Sequence, residues 1–164
     1  MLAAWERIAS ILLEEFTDLH DIEELTRIGA RLLLALVLGG LLGWEREQQG
    51  KAAGLRTHML VCLGSTVLVL SANTAGAMDD PMSRVVQGIV AGIGFLGAGT
   101  IIKNQAPGDI RGLTTAASIW FTSAIGIAVG LGREAIAILS VLVGLVILQA
   151  LPSMLWRNDK IPPD

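Results

Sequence analysis

The fold predicted for this chain depends mainly on the stretch GIVAGIGFLGAGTIIK, Gly88 to Lys103. It is as apolar as a membrane span, yet five of its first twelve residues are glycine. A glycine inside a water-exposed helix costs roughly 0.5–1 kcal/mol relative to alanine. The stretch therefore indicates a helix surrounded by lipid or by other helices rather than by water.

The composition of the whole chain points the same way. The 164 residues are 52% hydrophobic and only 16% charged, and the mean hydropathy is +0.62. These values are too apolar for an ordinary soluble domain.

Charged residues divide the sequence into apolar runs of membrane-spanning length. A helix of about 20 residues crosses roughly 30 Å of hydrocarbon, and four uncharged runs have 18 to 22 residues: Met59–Met78, Val85–Ile102, Gly112–Gly132 and Ala135–Trp156. A fifth run, Leu32–Trp44, has 13 and reaches spanning length if Arg31 snorkels and the helix begins near Leu25. We therefore predict an all-α integral membrane protein, with five transmembrane helices in a glycine-rich bundle over residues 25–156 and a short polar tail over 157–164.

Residues 1–24 have a different character and form a separate N-terminal segment. Helical spacing places apolar side chains on one face and polar ones opposite; the apolar set is Trp5, Ile8, Leu12, Phe16 and Leu19. This pattern predicts an amphipathic helix. It fits a helix lying on the bilayer surface and equally a helix packed on the bundle or on a partner subunit.

Orientation follows from the distribution of lysine and arginine. With the N terminus outside, seven basic residues fall on the inner side and five on the outer side. Cytoplasmic loops are enriched in Lys and Arg. The count favours an N-out, C-in topology.

Glycines recur at the spacing that lets membrane helices approach closely. Lipid gives helices no hydrophobic drive to associate, so their interfaces rely on small residues, and the predicted packing glycines are Gly39, Gly43, Gly88, Gly92, Gly94, Gly97, Gly99, Gly126 and Gly130. In the third predicted span these glycines occupy several faces, which predicts a helix at the centre of the bundle. The alternative is an interrupted helix whose free backbone groups coordinate an ion.

Polar chemistry is concentrated in two loops that this topology places on the inner side, Trp44–Met59 and Lys103–Ser118. They supply a candidate inner polar patch: Glu45, Arg46, Arg56, Thr57, His58, Asp109, Arg111, Thr114 and Thr115. Three interpretations stay open. The patch forms ion pairs that close the bundle mouth, or a docking surface for a partner or an anion, or a cation site with Glu45 and Asp109 as weak metal candidates.

Several function classes have little support in the sequence. No nucleophile, base and acid occur together in a catalytic pattern, and the GIGFLG match to a dinucleotide fingerprint lies inside an apolar span. The net charge of −3 and the lack of a basic run argue against nucleic-acid binding. We expect a non-enzymatic protein without a cofactor.

Three blocks of sequence resemble a known family. They are LGGLLGWEREQQGKAAGLRTHMLVCLGS, RVVQGIVAGIGFLGAGTIIK and IRGLTTAASIWFTSAIGIAVGLG. In this order they are similar to the MgtC/SapB family of bacterial inner-membrane proteins, over residues 33–132. The GLRTHM, GIGFLGAG and RGLTTAAS motifs are specific as a set.

The resemblance carries expectations about structure and role. It implies a five-helix, N-out and C-in domain of the inner membrane. It also implies roles in growth under magnesium limitation, in survival inside macrophages and in acid tolerance, and for some members restraint of the F-type ATP synthase. Many members carry a cytosolic C-terminal domain after the fifth helix, whereas this sequence looks like the short form.

Two function classes therefore remain. The first is a regulator that binds another membrane complex, and the second is a small Mg²⁺ or proton transporter or channel. The predicted spans have no acidic residue at mid-membrane, where an ion-coupled carrier often has one. The regulator is therefore favoured. The repeated GxxxG spacing further predicts a homodimer or small homo-oligomer.

The topology makes the first prediction. In a Cys62→Ser background, Gln49→Cys should react with a membrane-impermeant thiol reagent only from the cytoplasmic side, and Asp80→Cys only from outside. The reverse labelling pattern would contradict the N-out assignment and the shared inner location of the two polar loops.

Overall fold

The computed structural model of the chain is dominated by helices. It describes residues 2–15, 22–74, 79–103 and 110–155. Their elements in chain order are α1 (Leu2–Glu15), α2 (Ile22–Gln48), α3 (Leu55–Thr74), α4 (Asp79–Ala98), β1 (Ile102–Lys103), β2 (Ile110–Arg111), α5 (Leu113–Gly130) and α6 (Glu134–Leu155). The predicted tail, residues 157–164, lies outside the described residues. The chain divides into two compact units, residues 1–30 and 31–164.

Helices α2 to α6 overlap the five uncharged runs of the sequence. Four have the length and apolarity to cross a membrane, namely α2, residues 55–72 of α3, residues 81–98 of α4, and α5. Helix α6 contributes a shorter apolar stretch, Glu134–Gln149. The predicted all-α membrane fold is confirmed, while the number of five spans stays a prediction.

In the first unit, α1 forms where the amphipathic helix was expected. Its apolar side chains Trp5, Ile8 and Ile11 are exposed. Phe16 and Leu19, which were assigned to the same face, lie outside the described residues. Both interpretations of this helix, on the bilayer surface or against another protein surface, stay predictions.

In the second unit, α5 is the central helix. More than half of its span is buried, and it packs against α3, α4 and α6. The main apolar core joins α5 to three other helices, with Ala35, Leu38 and Leu42 from α2, Cys62 from α3, Ile125 and Val129 from α5, and Ala137 and Val141 from α6.

Glycine pairs bring α2 and α5 into backbone contact with α3. A Cβ atom added at Gly39 of α2 would lie 2.7 Å from the carbonyl oxygen of His58. A Cβ at Gly126 of α5 would overlap the carbonyl oxygen of Cys62. The second glycine of each pair, Gly43 or Gly130, is closed by α3 in the same way. These four positions have no room for a side chain.

Helix α4 lies at the edge of the bundle, and its predicted central position is wrong. Only 6% of its span is buried, and a Cβ at Gly88, Gly92 or Gly94 would meet no atom within 4 Å. Gly97 is the glycine that faces α5, where an added Cβ would lie 3.4 Å from the Ala116 carbonyl oxygen. The physical reason is that α5 carries the small residues that α3 covers, so α5 occupies the centre. Helix α4 is continuous to Ala98, and Gly99 lies in the turn that follows.

A short antiparallel hairpin follows α4. Ile102 pairs with Arg111 and Lys103 with Ile110. Gly112 then starts α5 with φ 87°, and a Cβ there would overlap the carbonyl oxygen of Thr100. Both facts require glycine. Strands of two residues are too short for a hydrophobic pattern to predict.

The contrast between closed and open glycines gives a second prediction. Gly39→Ala and Gly126→Ala should each lower the free energy of unfolding by about 1–3 kcal/mol, because the added methyl group forces packed backbones apart. Gly88→Ala is the matched control and should not destabilise the chain, because its site is open. Unfolding in detergent, followed by circular dichroism, measures all three. Equal destabilisation by the control would contradict this packing.

Candidate functional site

Polar side chains from three helices meet where α2 ends and α3 and α5 begin. We call this group the His58 cluster, and it consists of Glu45, Arg46, His58, Thr115 and Ser118. All five residues are buried. The cluster forms because Gly43 on α2 lets the His58 side chain approach to 2.9 Å from where a Cβ would lie, and because α5 starts beside α3.

Glu45 and Arg46 form a buried ion pair between neighbours in sequence. The two residues are 4% and 3% exposed. The Arg46 Nη2 donates to Glu45 Oε1 at 2.6 Å, and its Nε donates to the other carboxylate oxygen. A two-point contact of this kind satisfies both charges where water is absent.

His58 connects α3 to α5. Its Nδ1 lies 2.9 Å from the carbonyl oxygen of Gly54, and its Nε2 lies 3.2 Å from the hydroxyl oxygen of Ser118. The Ser118 hydroxyl is also within reach of the Thr115 carbonyl oxygen, at 2.8 Å. Both ring nitrogens of this fully buried histidine therefore have a partner.

Glu47, next to the ion pair in sequence, caps the start of α3. It is exposed, and its carboxylate accepts a hydrogen bond from the Leu55 backbone N–H at 2.8 Å. The bond satisfies one of the free N–H groups at the start of α3 and places an anion near the positive end of the helix. Position 47 precedes α3 by several residues, so no local capping pattern marks it.

The remaining patch residues are not all brought together. Arg56, Arg111 and Thr114 are exposed, and Thr57 is half-buried. Asp109 lies outside the described residues. Both carboxylate oxygens of Glu45 are engaged by Arg46. The described residues contain no group of three or more His, Cys, Asp or Glu side chains positioned for a metal ion. The cation interpretation therefore rests on no described pair of ligands.

Hydroxyl groups continue the polar contact between α3 and α5 towards mid-membrane. Ser65 and Ser123 hydrogen-bond to each other at 2.8 Å. The Thr66 hydroxyl is within reach of the carbonyl oxygens of Cys62 at 3.0 Å and Gly126 at 2.8 Å. In lipid, such bonds satisfy groups that have no water.

A second ion pair lies at the other end of α2. Arg31 Nε donates to Glu134 at 3.3 Å, and its Nη1 donates to the Gly130 carbonyl oxygen at the end of α5, also at 3.3 Å. The contact joins α2 to the turn between α5 and α6. It also neutralises the Arg31 charge inside a predicted span.

A glycine-packed helical bundle with a buried polar seam and an ion pair at each end defines the protein as a polytopic α-helical membrane protein. Residues 32–155 match the MgtC family, and the chain belongs to that family. The matched region contains every residue of the His58 cluster.

The chain aligns with three named relatives over different shares of their lengths. The chain is 33% identical to protein SrpB of Synechococcus elongatus over 82% of the chain and 87% of the relative. It is 41% identical to the putative magnesium transporter YhiD of Escherichia coli K12 over 77% of the chain. It is 45% identical to protein MgtC of Salmonella typhimurium LT2 over 62% of the chain.

The alignment spans 61% of YhiD and 42% of MgtC. No solved structure matches the chain.

The buried ion pair gives a third prediction. Glu45→Gln should lower the free energy of unfolding by roughly 3–5 kcal/mol, because the buried Arg46 charge loses its counter-ion. Glu47→Gln is the matched control: it is exposed and keeps an oxygen acceptor for the Leu55 N–H. Urea or SDS unfolding in mixed micelles compares them. Wild-type stability in Glu45→Gln would show that the pair is solvated rather than buried.

Proposed function

We propose that the protein is a non-enzymatic regulator in a bacterial inner membrane, oriented N-out and C-in. It supports growth under magnesium limitation, under acid stress or inside host phagocytes by binding another membrane protein. The F-type ATP synthase is the candidate complex that the family resemblance implies. The names of its relatives support a link to magnesium, because one is called a putative magnesium transporter.

The observation that carries this proposal is the outward face of α4. Gly88, Gly92 and Phe95 follow at intervals of four and three residues, so they share one face of the helix. That face is open: a Cβ at either glycine meets nothing within 4 Å, and Phe95 is 87% exposed. Gly97, which approaches α5, lies on the opposite side.

A groove between α3 and α4 extends this face. Its volume is about 510 Å³. Its walls are almost wholly apolar and include three glycines, Gly64, Gly88 and Gly92. Small residues on a lipid-facing surface let a second helix approach at backbone distance. The glycines that find no neighbour inside the chain are thus suited to a helix from another protein.

Self-association is a second contact that we propose. A homodimer or small homo-oligomer would use lipid-facing helix surfaces, and the α4 face with its open glycines is the surface that we propose for this contact. The surrounding bilayer is the remaining partner.

A small Mg²⁺ or proton transporter is the alternative. The seam of buried hydroxyls between the two ion pairs favours it. Residues 31 and 46 are about 22 Å apart along α2 at 1.5 Å per residue, so the seam crosses much of the hydrocarbon. The buried side-chain polar atoms among the described residues all have hydrogen-bond partners, which favours a static role for the seam.

The α4 face gives the fourth prediction. Gly88→Leu and Gly92→Leu should abolish most of the growth that the wild-type gene restores to a deletion strain in low magnesium, while membrane levels and melting temperature stay unchanged. The reason is that leucine occupies the groove where the second helix would lie, at positions where a Cβ meets no atom of the bundle within 4 Å. Gly94→Leu is the matched control, on the same helix and equally open but about 120° away from Gly88, and it should complement normally.

The result separates the proposals. Full complementation by Gly88→Leu and Gly92→Leu would contradict the docking role of α4. Light scattering in detergent tells whether the lost contact is with a second copy, and flux of Mg²⁺ or protons into proteoliposomes tests the transporter alternative.

A further inference from the structure

His58 stands out among the buried groups because its two ring nitrogens meet partners of different kinds. A carbonyl oxygen accepts hydrogen bonds and never donates them. The Nδ1 that faces the Gly54 carbonyl at 2.9 Å therefore carries a hydrogen in any well-bonded state. The Nε2 faces Ser118, whose hydroxyl can donate or accept.

The Ser118 hydroxyl has one hydrogen and two neighbours that compete for it. It lies 3.2 Å from His58 Nε2 and 2.8 Å from the Thr115 carbonyl oxygen. If the hydroxyl donates to Nε2, His58 is neutral. If the hydroxyl donates to the Thr115 carbonyl, its oxygen is left to accept a hydrogen bond from His58. Nε2 can donate that bond only when the ring carries a second proton.

Both arrangements satisfy the same atoms in the same positions. In the neutral state the ring donates from Nδ1 and accepts at Nε2. In the charged state it donates from both nitrogens, and the Thr115 carbonyl accepts a second hydrogen bond on its free lone pair. Proton uptake needs only the rotation of one hydroxyl group. A histidine with a purely structural role needs one of these states and not both.

We propose that His58 is a reversible proton-binding site, and that the Ser118 hydroxyl switches its hydrogen bond from His58 to the Thr115 carbonyl when the proton arrives. The proton forms an N–H bond at Nε2 and comes from water at the loop between α2 and α3. His58 lies one turn from the start of α3, so this loop is close.

Protonation of His58 changes the charge of the cluster, and several charged or polar groups lie near its ring. Burial of the ring opposes its charged form most strongly. From α2, Arg46 repels the imidazolium and Glu45 attracts it. From α5, Ser118 and Thr115 offer uncharged oxygen atoms. On its own helix, Arg56 is exposed and Cys62 is buried one turn further on. Because Glu45 and Arg46 neutralise each other, the added proton changes the formal charge of the cluster from zero to one.

The test is a pH titration of the full chain in lipid nanodiscs by nitrogen-15 NMR of labelled histidine. The chain has two histidines, and His20→Gln leaves His58 as the single signal. We expect Nδ1 to carry hydrogen throughout, and Nε2 to gain one reversibly as the pH is lowered. The carbonyl carbon-13 shift of Thr115 should move with the same midpoint.

Substitutions of Ser118 separate the switch from a bystander histidine. In Ser118→Ala, the Thr115 carbonyl shift should no longer follow pH. In Ser118→Thr, which keeps a hydroxyl, it should follow as in the wild type. If the alanine variant does not fold, the wild-type and threonine titrations still decide the matter.

Three results would overturn the proposal. They are an Nε2 that stays unprotonated at the acid end of the titration, a neutral ring that carries its hydrogen on Nε2, and a Thr115 shift that is indifferent to His58 protonation. None of these results depends on the α4 face, so the docking function is tested independently of this proposal.

Discussion

Helices α3 and α5 approach each other at backbone distance, and the other helices are arranged around that contact. Gly126 and Gly130 remove the side chains that would hold the two helices apart. At this separation the Thr66 hydroxyl reaches the Gly126 carbonyl oxygen, and Ser65 reaches Ser123. Lipid supplies no water to these groups, so each hydrogen bond formed across the contact also removes an unsatisfied polar atom from hydrocarbon.

Several features follow from the central position of α5. Helix α2 packs on α3 through Gly39 and Gly43 and shares the apolar core with α5 and α6, and the His58 cluster is buried where the three helix ends meet. Helix α4 is left at the edge, with one face on α5 and the other open. The same sequence pattern, small residues four apart, thus serves contacts within the chain on α2 and α5, whereas on α4 the glycines at positions 88 and 92 have no neighbour within 4 Å of an added Cβ.

Much of the fold was predictable from the sequence. The uncharged runs located the helices because a helix that crosses hydrocarbon excludes charge over a length fixed by the bilayer. The GLRTHM, GIGFLGAG and RGLTTAAS motifs were sufficient to indicate the family. The position of α4 was not predictable, since a GxxxG pattern indicates that a face can be approached but does not name the helix that approaches it. Gly88 and Gly126 look alike in sequence and differ in the structure.

The site was predictable in part. Glu45, Arg46, His58 and Thr115 were selected because they are polar residues beside apolar runs. Ser118 was in the same stretch of sequence, but its hydrogen bond to His58 depends on how α5 is oriented about its axis relative to α3. The described ion pair of the patch joins two sequence neighbours, Glu45 and Arg46, which are both buried. Asp109 lies outside the described residues, so ion pairs that close the bundle mouth stay a prediction. Glu47 caps a helix across a loop, which no short-range pattern encodes.

The contact between α3 and α5 is tested most directly by a disulfide across it. In a background without Cys62, the Ser65→Cys and Ser123→Cys substitutions replace two hydroxyl oxygens that are 2.8 Å apart. A membrane-permeant oxidant should then form a disulfide within single chains, which mass spectrometry of the monomer detects. The control pairs Ser65→Cys with Val143→Cys on the exposed face of α6, and this pair should form no disulfide. Failure of the first pair to cross-link, or cross-links only between chains, would contradict the arrangement on which the rest of this account depends.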